Sequence, residues 1–192
     1  MADKVTPSKG FFLGKMHILV VGLVLFMASL SFGKETAKLP FPNEIKDSLP
    51  WFAVFELQNE NRPFTRATLL NLGQKNERVA LVYYATWCIP CRVGLKQISQ
   101  NKDALAAAKT SVVLVNVGER EKASIMKFLS GVSLAEVSSV TDPFGRLSVG
   151  FGLVKEGETM VLPRTIIVDK RAKPVMLLGE EGDDYIRLLK GE

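Results

Sequence analysis

Cys88 and Cys91, within Trp87-Cys88-Ile89-Pro90-Cys91, are the only cysteines of a 192-residue chain. Two thiols at i and i+3 fall on one helical turn, close enough to close a small disulfide ring. At the start of a helix the first thiol stands beside unpaired backbone N–H groups and the positive end of the helix dipole, which favour a thiolate. A thiolate with a resolving thiol one turn away is the minimum equipment for disulfide exchange. Cys88 is then the nucleophile that attacks a substrate disulfide, and Cys91 resolves the mixed disulfide by attacking Cys88. Cys88 is expected to be the more exposed of the two. A ring over so few residues removes little entropy from the unfolded chain, so stapling the fold is a poor account of the pair.

A zinc half-site and a pair of inert buried thiols are the competing readings. Zinc normally takes four ligands, commonly nitrogen or sulfur. The chain offers no further cysteine, and its one histidine, His17, lies in an apolar N-terminal run. No metal site is therefore expected, and the same shortage removes a copper-delivery site and a Cys–His hydrolase. No cofactor-binding pattern is present either, which leaves the Cys88–Cys91 pair as the redox centre.

The elements around the motif must hold it. Ala80 to Ala85 is apolar, rich in aromatic and branched residues, and reads as a buried strand, and Arg92 to Ile98 has helical composition. Upstream, residues 51–57 suggest a first strand, 58–63 a polar turn, and 65–72 a short helix ending near Gly73. Downstream, 104–109 closes a helical stretch, and 111–117 is an uninterrupted branched run typical of a strand covered on both faces. Residues 121–129 read as a helix, 137–140 as a short strand and 144–151 as another short helix. Residues 165–169, 170–173 and 174–178 form a strand, a turn and its hairpin partner. A last amphipathic helix covers 183–189. Alternating β and α elements that finish with a hairpin and a helix imply a mixed central sheet with helices on both faces. Asp142-Pro143 and Gly179-Glu180-Glu181-Gly182 read as turns without a function.

Hydrophobic residues make up 47% and charged residues 23%, enough apolar surface for one domain with a real core. The net charge is +5, but the basic residues are scattered among acids with no aromatic-interleaved stripe, which argues against nucleic-acid binding. Lys4, Lys9 and Lys15 precede an apolar run from His17 to Phe32, the pattern of an export signal with its N-terminus held inside. The run is short for a membrane span, and Ser31 and Gly33 suit a cleavage site after Gly33. A cleaved signal peptide and an uncleaved anchor, with residues 16–32 in the membrane, both remain open. The expected organisation is a signal peptide or membrane anchor at 1–33, a linker at 34–45, and one domain at 46–192 that works outside the cytoplasm, in the periplasm or on the outer face of the cytoplasmic membrane. An exported protein can keep a cysteine pair as a disulfide.

Tyr83-Tyr84-Ala85-Thr86-Trp87-Cys88-Ile89-Pro90-Cys91-Arg92 resembles the active-site segment of the TlpA/ResA branch of exported thiol–disulfide oxidoreductases, within the thioredoxin-like superfamily. Leu162-Pro163-Arg164-Thr165-Ile166-Ile167-Val168-Asp169 is similar to the family loop in which a cis-proline precedes a strand. Ser48-Leu49-Pro50-Trp51-Phe52 is similar to the N-terminal extension of that branch. The resemblance covers roughly Ile45 to the C-terminus. It implies an α/β thioredoxin-like fold, a mixed central sheet flanked by helices, with a cis Pro163 facing the cysteines. Trp87, Pro90, Leu162 and Pro163 are the implied substrate contacts.

Three positions depart from the pattern. Many members of the branch carry a glutamate three residues after the second cysteine, which the resemblance assigns to proton handling. Here that position is Gly94. The helix-bending proline of thioredoxins is Lys96, and their buried acid is Val82. The usual acid beside the buried thiol is missing from both places, so another carboxylate or water takes the role, or turnover is slow.

These readings lead to an exported thiol–disulfide reductase. Its partners would be exported proteins with cysteine pairs, by family analogy apocytochrome c before haem attachment or a copper-site protein, and a membrane thiol-electron donor. Ile89-Pro90 gives the Cys88 thiolate neither charge nor hydrogen bond, which favours a reductant over an oxidant. A disulfide-forming oxidase and a non-catalytic thioredoxin-fold binding protein are the alternatives. A peroxiredoxin, of related fold, would carry Pro-x-x-x-Thr/Ser-x-x-Cys, which the residues before Cys88 do not supply.

Overall fold

The computed structural model describes residues 33–41, 51–59, 62–155 and 157–192. The signal or anchor reading of the N-terminus falls almost wholly outside these residues, as does the first part of the Ser48–Phe52 extension. Among the described residues no helix is long and apolar enough to cross a membrane.

The centre of the sheet is β4 (Arg78–Tyr84), every residue of which is buried from Val79 onward. It lies parallel to β5 (Thr110–Val117) and antiparallel to β7 (Arg164–Asp169). Successive side chains of a strand point to opposite faces. Ala80, Val82 and Tyr84 therefore enter a core with the two cysteines, Leu95 and Ile98. Val79, Leu81 and Tyr83 enter a second core with Phe52, Phe64 and Leu69 on the other face. Burial on both sides is the reason these strands read as continuous apolar runs.

The other strands are β1 (Lys38–Leu39), β2 (Ala53–Glu56), β3 (Pro63–Thr65), β6 (Ser139–Asp142) and β8 (Pro174–Leu178). The sheet order is β1-β8-β7-β4-β5-β6-β2-β3. Among the described strands only the β4–β5 and β5–β6 pairs are parallel. The helices are α1 (Arg66–Lys75), α2 (Cys91–Gln100), α3 (Lys102–Ala107), α4 (Lys122–Gly131), α5 (Arg146–Gly150) and α6 (Tyr185–Lys190). This is the mixed sheet with flanking helices that the alternation of elements implied, and the fold is thioredoxin-like.

Three local readings are corrected. Gly73 does not end α1 but lies buried inside it. A Cβ there would stand 2.7 Å from the Lys170 carbonyl oxygen, so the glycine admits the β7–β8 turn against the helix. Residues 63–65, read as turn and helix start, form β3, with Thr65 then capping α1 by accepting from Thr68 N–H. Of the segment read as linker, the described residues 34–41 are docked rather than loose. Lys38 and Leu39 pair with Leu178 and Leu177, and Ala37 N–H donates to the Glu180 carbonyl at 3.0 Å.

Candidate active site

Strand β4 ends at Tyr84, and the chain turns through Ala85–Pro90 before α2 begins at Cys91. The turn is fixed on both sides. The Glu119 carboxylate accepts from Thr86 N–H at 2.7 Å, from the Thr86 hydroxyl, and from Asn116 Nδ2 at 2.7 Å. Arg92 Nη2 donates to the Thr86 carbonyl at 3.2 Å, and its guanidinium stacks 5.5 Å from the Phe128 ring, which packs on Tyr84. Arg92 thus braces the loop against α4.

Cys88 and Cys91 form a disulfide with their Cα atoms 5.4 Å apart. Cys91 N–H, an unpaired donor of the first helical turn, donates to Cys88 Sγ at 3.3 Å. That donor stabilises negative charge on Cys88 once the disulfide opens. The expected contrast in exposure between the cysteines is absent, since they are 3% and 2% exposed. Both cysteines belong to the core that also contains Leu95 and Ala85. The exposure falls instead on the neighbours, Trp87 at 66% and Ile89 at 74%. Pro90 is exposed as well.

The Leu162–Pro163 peptide is cis. Arg164 pairs with Tyr83, so the proline loop meets the end of β4 from which the cysteine turn leaves. Pro163 is buried, and Leu162 is half-buried against the core that contains both cysteines. Sequence positions as distant as Trp87 and Pro163 are thereby brought to one end of the sheet. Trp87 also borders a cleft of about 300 Å³, walled by Phe144, Val149 and Met160. Among the described residues no cluster of three or more His, Cys, Asp or Glu could hold a metal ion.

The three positions that depart from the family pattern differ from one another. Val82 is buried and apolar beside the cysteines, and Lys96 is exposed. Gly94 is buried on the α2 face that carries Cys91, Leu95 and Ile98. A Cβ at position 94 would lie 2.5 Å from Glu181 Oε1. The Gly179–Gly182 turn, to which no function was assigned, therefore sends a carboxyl group to the cysteine helix. Glu181 is 4% exposed, and burial is the main cause that pushes its carboxyl up to about 7. Nothing in the local pattern signals this, because Gly94 and Glu181 meet only through the packing of the β8–α6 loop on α2.

A family model described as AhpC/TSA family matches residues 46–173. The chain belongs to the AhpC/TSA family. With its Cys-x-x-Cys pair at the head of α2, it is a thiol–disulfide oxidoreductase of thioredoxin-like fold. The solved structures it resembles agree on that fold. A secreted thiol-disulfide isomerase from Corynebacterium glutamicum is 21% identical with a TM-score of 0.60, over 83% of this chain and 99% of that one. A secreted Mycobacterium tuberculosis disulfide oxidoreductase homologous to E. coli DsbE is 15% identical with a TM-score of 0.56, over 73% of this chain and 94% of that one. A thioredoxin-family thiol:disulfide interchange protein from Chlorobium tepidum is 18% identical with a TM-score of 0.58, over 74% and 92%.

Proposed function

We propose that this protein is an exported reductase of disulfides in other exported proteins, with Cys88 as nucleophile and Cys91 as resolving thiol. The observation that carries the reading is the Cys88–Cys91 pair itself. It is closed as a disulfide, has the Cys91 N–H aimed at Cys88 Sγ, and sits among exposed apolar residues at the end of the sheet where the Pro163 loop lies. Trp87, Pro90, Leu162 and Pro163 are the proposed substrate contacts. Pro163 has no N–H of its own, and so puts no competing donor where an extended substrate backbone would lie.

Three further points support the reading. The apolar segment behind Lys4, Lys9 and Lys15 has the composition of an export signal or anchor, and two of the similar structures are described as secreted. Ile89 and Pro90 give no charge to a Cys88 thiolate, which favours the reducing direction. Substrates would be exported proteins with cysteine pairs, with cytochrome c or copper-site maturation as the family-level expectation, and a membrane thiol protein would return the electrons.

Insulin reduction by wild type and by Cys88→Ser tests the activity, and equal background rates in both would overturn it. A Cys91→Ser variant should accumulate mixed disulfides through Cys88. The reduction potential decides direction: a value near ~−270 mV fits a reductant, and one near ~−120 mV an oxidant.

A further inference from the structure

Glu181 is out of place as a structural residue. It is almost fully buried, and its Oε2 has no hydrogen-bond partner among the described residues. A buried carboxyl oxygen without a partner costs stability, and its place against the helix that carries Cys91 points to chemistry. Its position is specific. The carboxyl carbon and Cγ would lie 2.7 and 2.8 Å from a Cβ at position 94, so the Glu181 side chain fills the volume that a side chain on Gly94 would occupy. Gly94 is one turn beyond Cys91 on the same buried helix face. It is also the position at which the resemblance led to the expectation of a glutamate. Glu181 itself lies beyond the segment matched by the family model, residues 46–173.

The loop is held firmly enough to deliver that group. Gly182 N–H donates to the Thr36 hydroxyl at 2.9 Å and Asp183 N–H to the Lys34 carbonyl at 2.7 Å. From α2, Gln97 Nε2 donates to the Gly182 carbonyl at 3.1 Å. A cleft of about 200 Å³ runs along Pro90, Val93, Gln97 and Glu181, and so opens the carboxyl to solvent on the side of the cysteine helix.

We propose that Glu181, supplied from the β8–α6 loop into the space left by Gly94, is the acid–base group that exchanges a proton with Cys91 during resolution. The inference rests on the disulfide-exchange reading given above. In the reducing direction the Cys88 thiolate attacks a substrate disulfide, forms a mixed disulfide and releases the first substrate thiolate. Glu181 carboxylate then takes the Cys91 proton. The Cys91 thiolate attacks Cys88 Sγ, the Cys88–substrate bond breaks, and the second substrate sulfur leaves as a thiolate that is protonated from water. The enzyme dithiol loses two electrons and the substrate disulfide gains them, while the proton on Glu181 leaves through the cleft. The groups that face Glu181 are Lys34 from the N-terminal segment, which favours its ionised form, and Glu180 on its own loop, which opposes it. Asp183 lines the same cleft, and Tyr185 of α6 is a buried phenol whose hydroxyl pairs with Thr165 at 2.8 Å. Burial places the Glu181 titration at about 7, where both proton acceptance and donation are available.

The test is single-turnover reaction of the reduced full chain with a peptide that carries one disulfide, acid-quenched and resolved by mass, from pH 5 to 9. Wild type should resolve its mixed disulfide with a rate that rises through a step near the Glu181 titration. Glu181→Gln should lose that step and resolve about tenfold or more slowly at neutral pH, relative to its own rate of mixed-disulfide formation. Glu181→Gly combined with Gly94→Glu should restore a step, because the carboxyl returns from the helix side. An unchanged profile and rate in Glu181→Gln overturns the inference while the exchange reading stands. Failure of wild type to form any mixed disulfide overturns the exchange reading instead. If the glutamine variant does not fold, the Glu181 carboxyl carbon can be titrated by NMR in wild type. Its midpoint should differ between disulfide and dithiol forms, and identical midpoints overturn the inference.

Discussion

A buried carboxyl group that titrates at about 7 makes the fold itself depend on pH, and Glu181→Gln isolates that dependence. In the unfolded chain a glutamate titrates near 4.5, and in the folded protein burial holds Glu181 at about 7. Between these values the folded state keeps a proton that the unfolded chain releases. Its stability is therefore fully present below pH 4.5 and lost as pH rises through 7. The displacement corresponds to about 3 kcal/mol at ~1.4 kcal/mol per pH unit. A glutamine has no such proton to lose. Its own unpaired amide costs the same at every pH and cancels from a difference between two pH values. Urea unfolding of the oxidised protein, disulfide intact, should show wild type losing stability relative to Glu181→Gln by about 3 kcal/mol between about pH 4.5 and pH 8. A difference between the two proteins that does not change with pH would refute the assignment of a buried carboxyl that keeps its proton. A wild type that gains on the variant as pH rises would reverse its sign.

Three further substitutions probe the elements that position the site. Gly73→Ala should destabilise by about 1–2 kcal/mol in urea despite the better helix propensity of alanine, because its Cβ would meet the Lys170 carbonyl at 2.7 Å. Thr36→Val should cost about 1–3 kcal/mol, since it leaves the Gly182 N–H of the Glu181 loop without its acceptor. Asp142→Ala should cost about 1–2 kcal/mol, seen as a lower midpoint in the same assay. The Asp142 Oδ2 atom accepts from Leu147 N–H, Ser148 N–H and the Ser148 hydroxyl at 3.1, 3.0 and 2.9 Å, and so caps the start of α5.

What could be read in the chain alone follows the range of the forces involved. Strands β4, β5 and β7 were legible because burial on both faces writes an unbroken apolar run into the sequence itself. The hairpin after Asp169 was legible through its turn, where Asp169 Oδ1 accepts from Arg171 and Lys173 N–H. The cysteine pair is a local spacing, and Pro163 was found through its resemblance to a known loop. The short strands escaped. β1 is two residues of mixed polarity that pair only because β8 presents an open edge, and no pattern of period two can be seen over so short a run. Gly73 looked like a helix terminator because the chain cannot announce that a distant turn will press against it. Glu181 escaped for the same reason. A carboxyl 87 positions from Gly94 is recognisable as its substitute only after the loop has closed on the helix.

The two rims of the sheet carry a consequence for how the protein meets other chains. One ends in the two residues of β1, the other in the three of β3, which begins at Pro63 and so lacks a donor there. An unpaired strand edge is a template on which another polypeptide can add by backbone pairing, and short or proline-bearing rims deny it that length. A protein whose proposed trade is with unfolded or half-folded clients cannot leave such a template open without collecting them. With both rims short among the described residues, the proposed extended clients would find little to pair with at the sides of the sheet. Contact would be left to the end where the cysteines and Pro163 sit, where the reaction itself can release a bound chain.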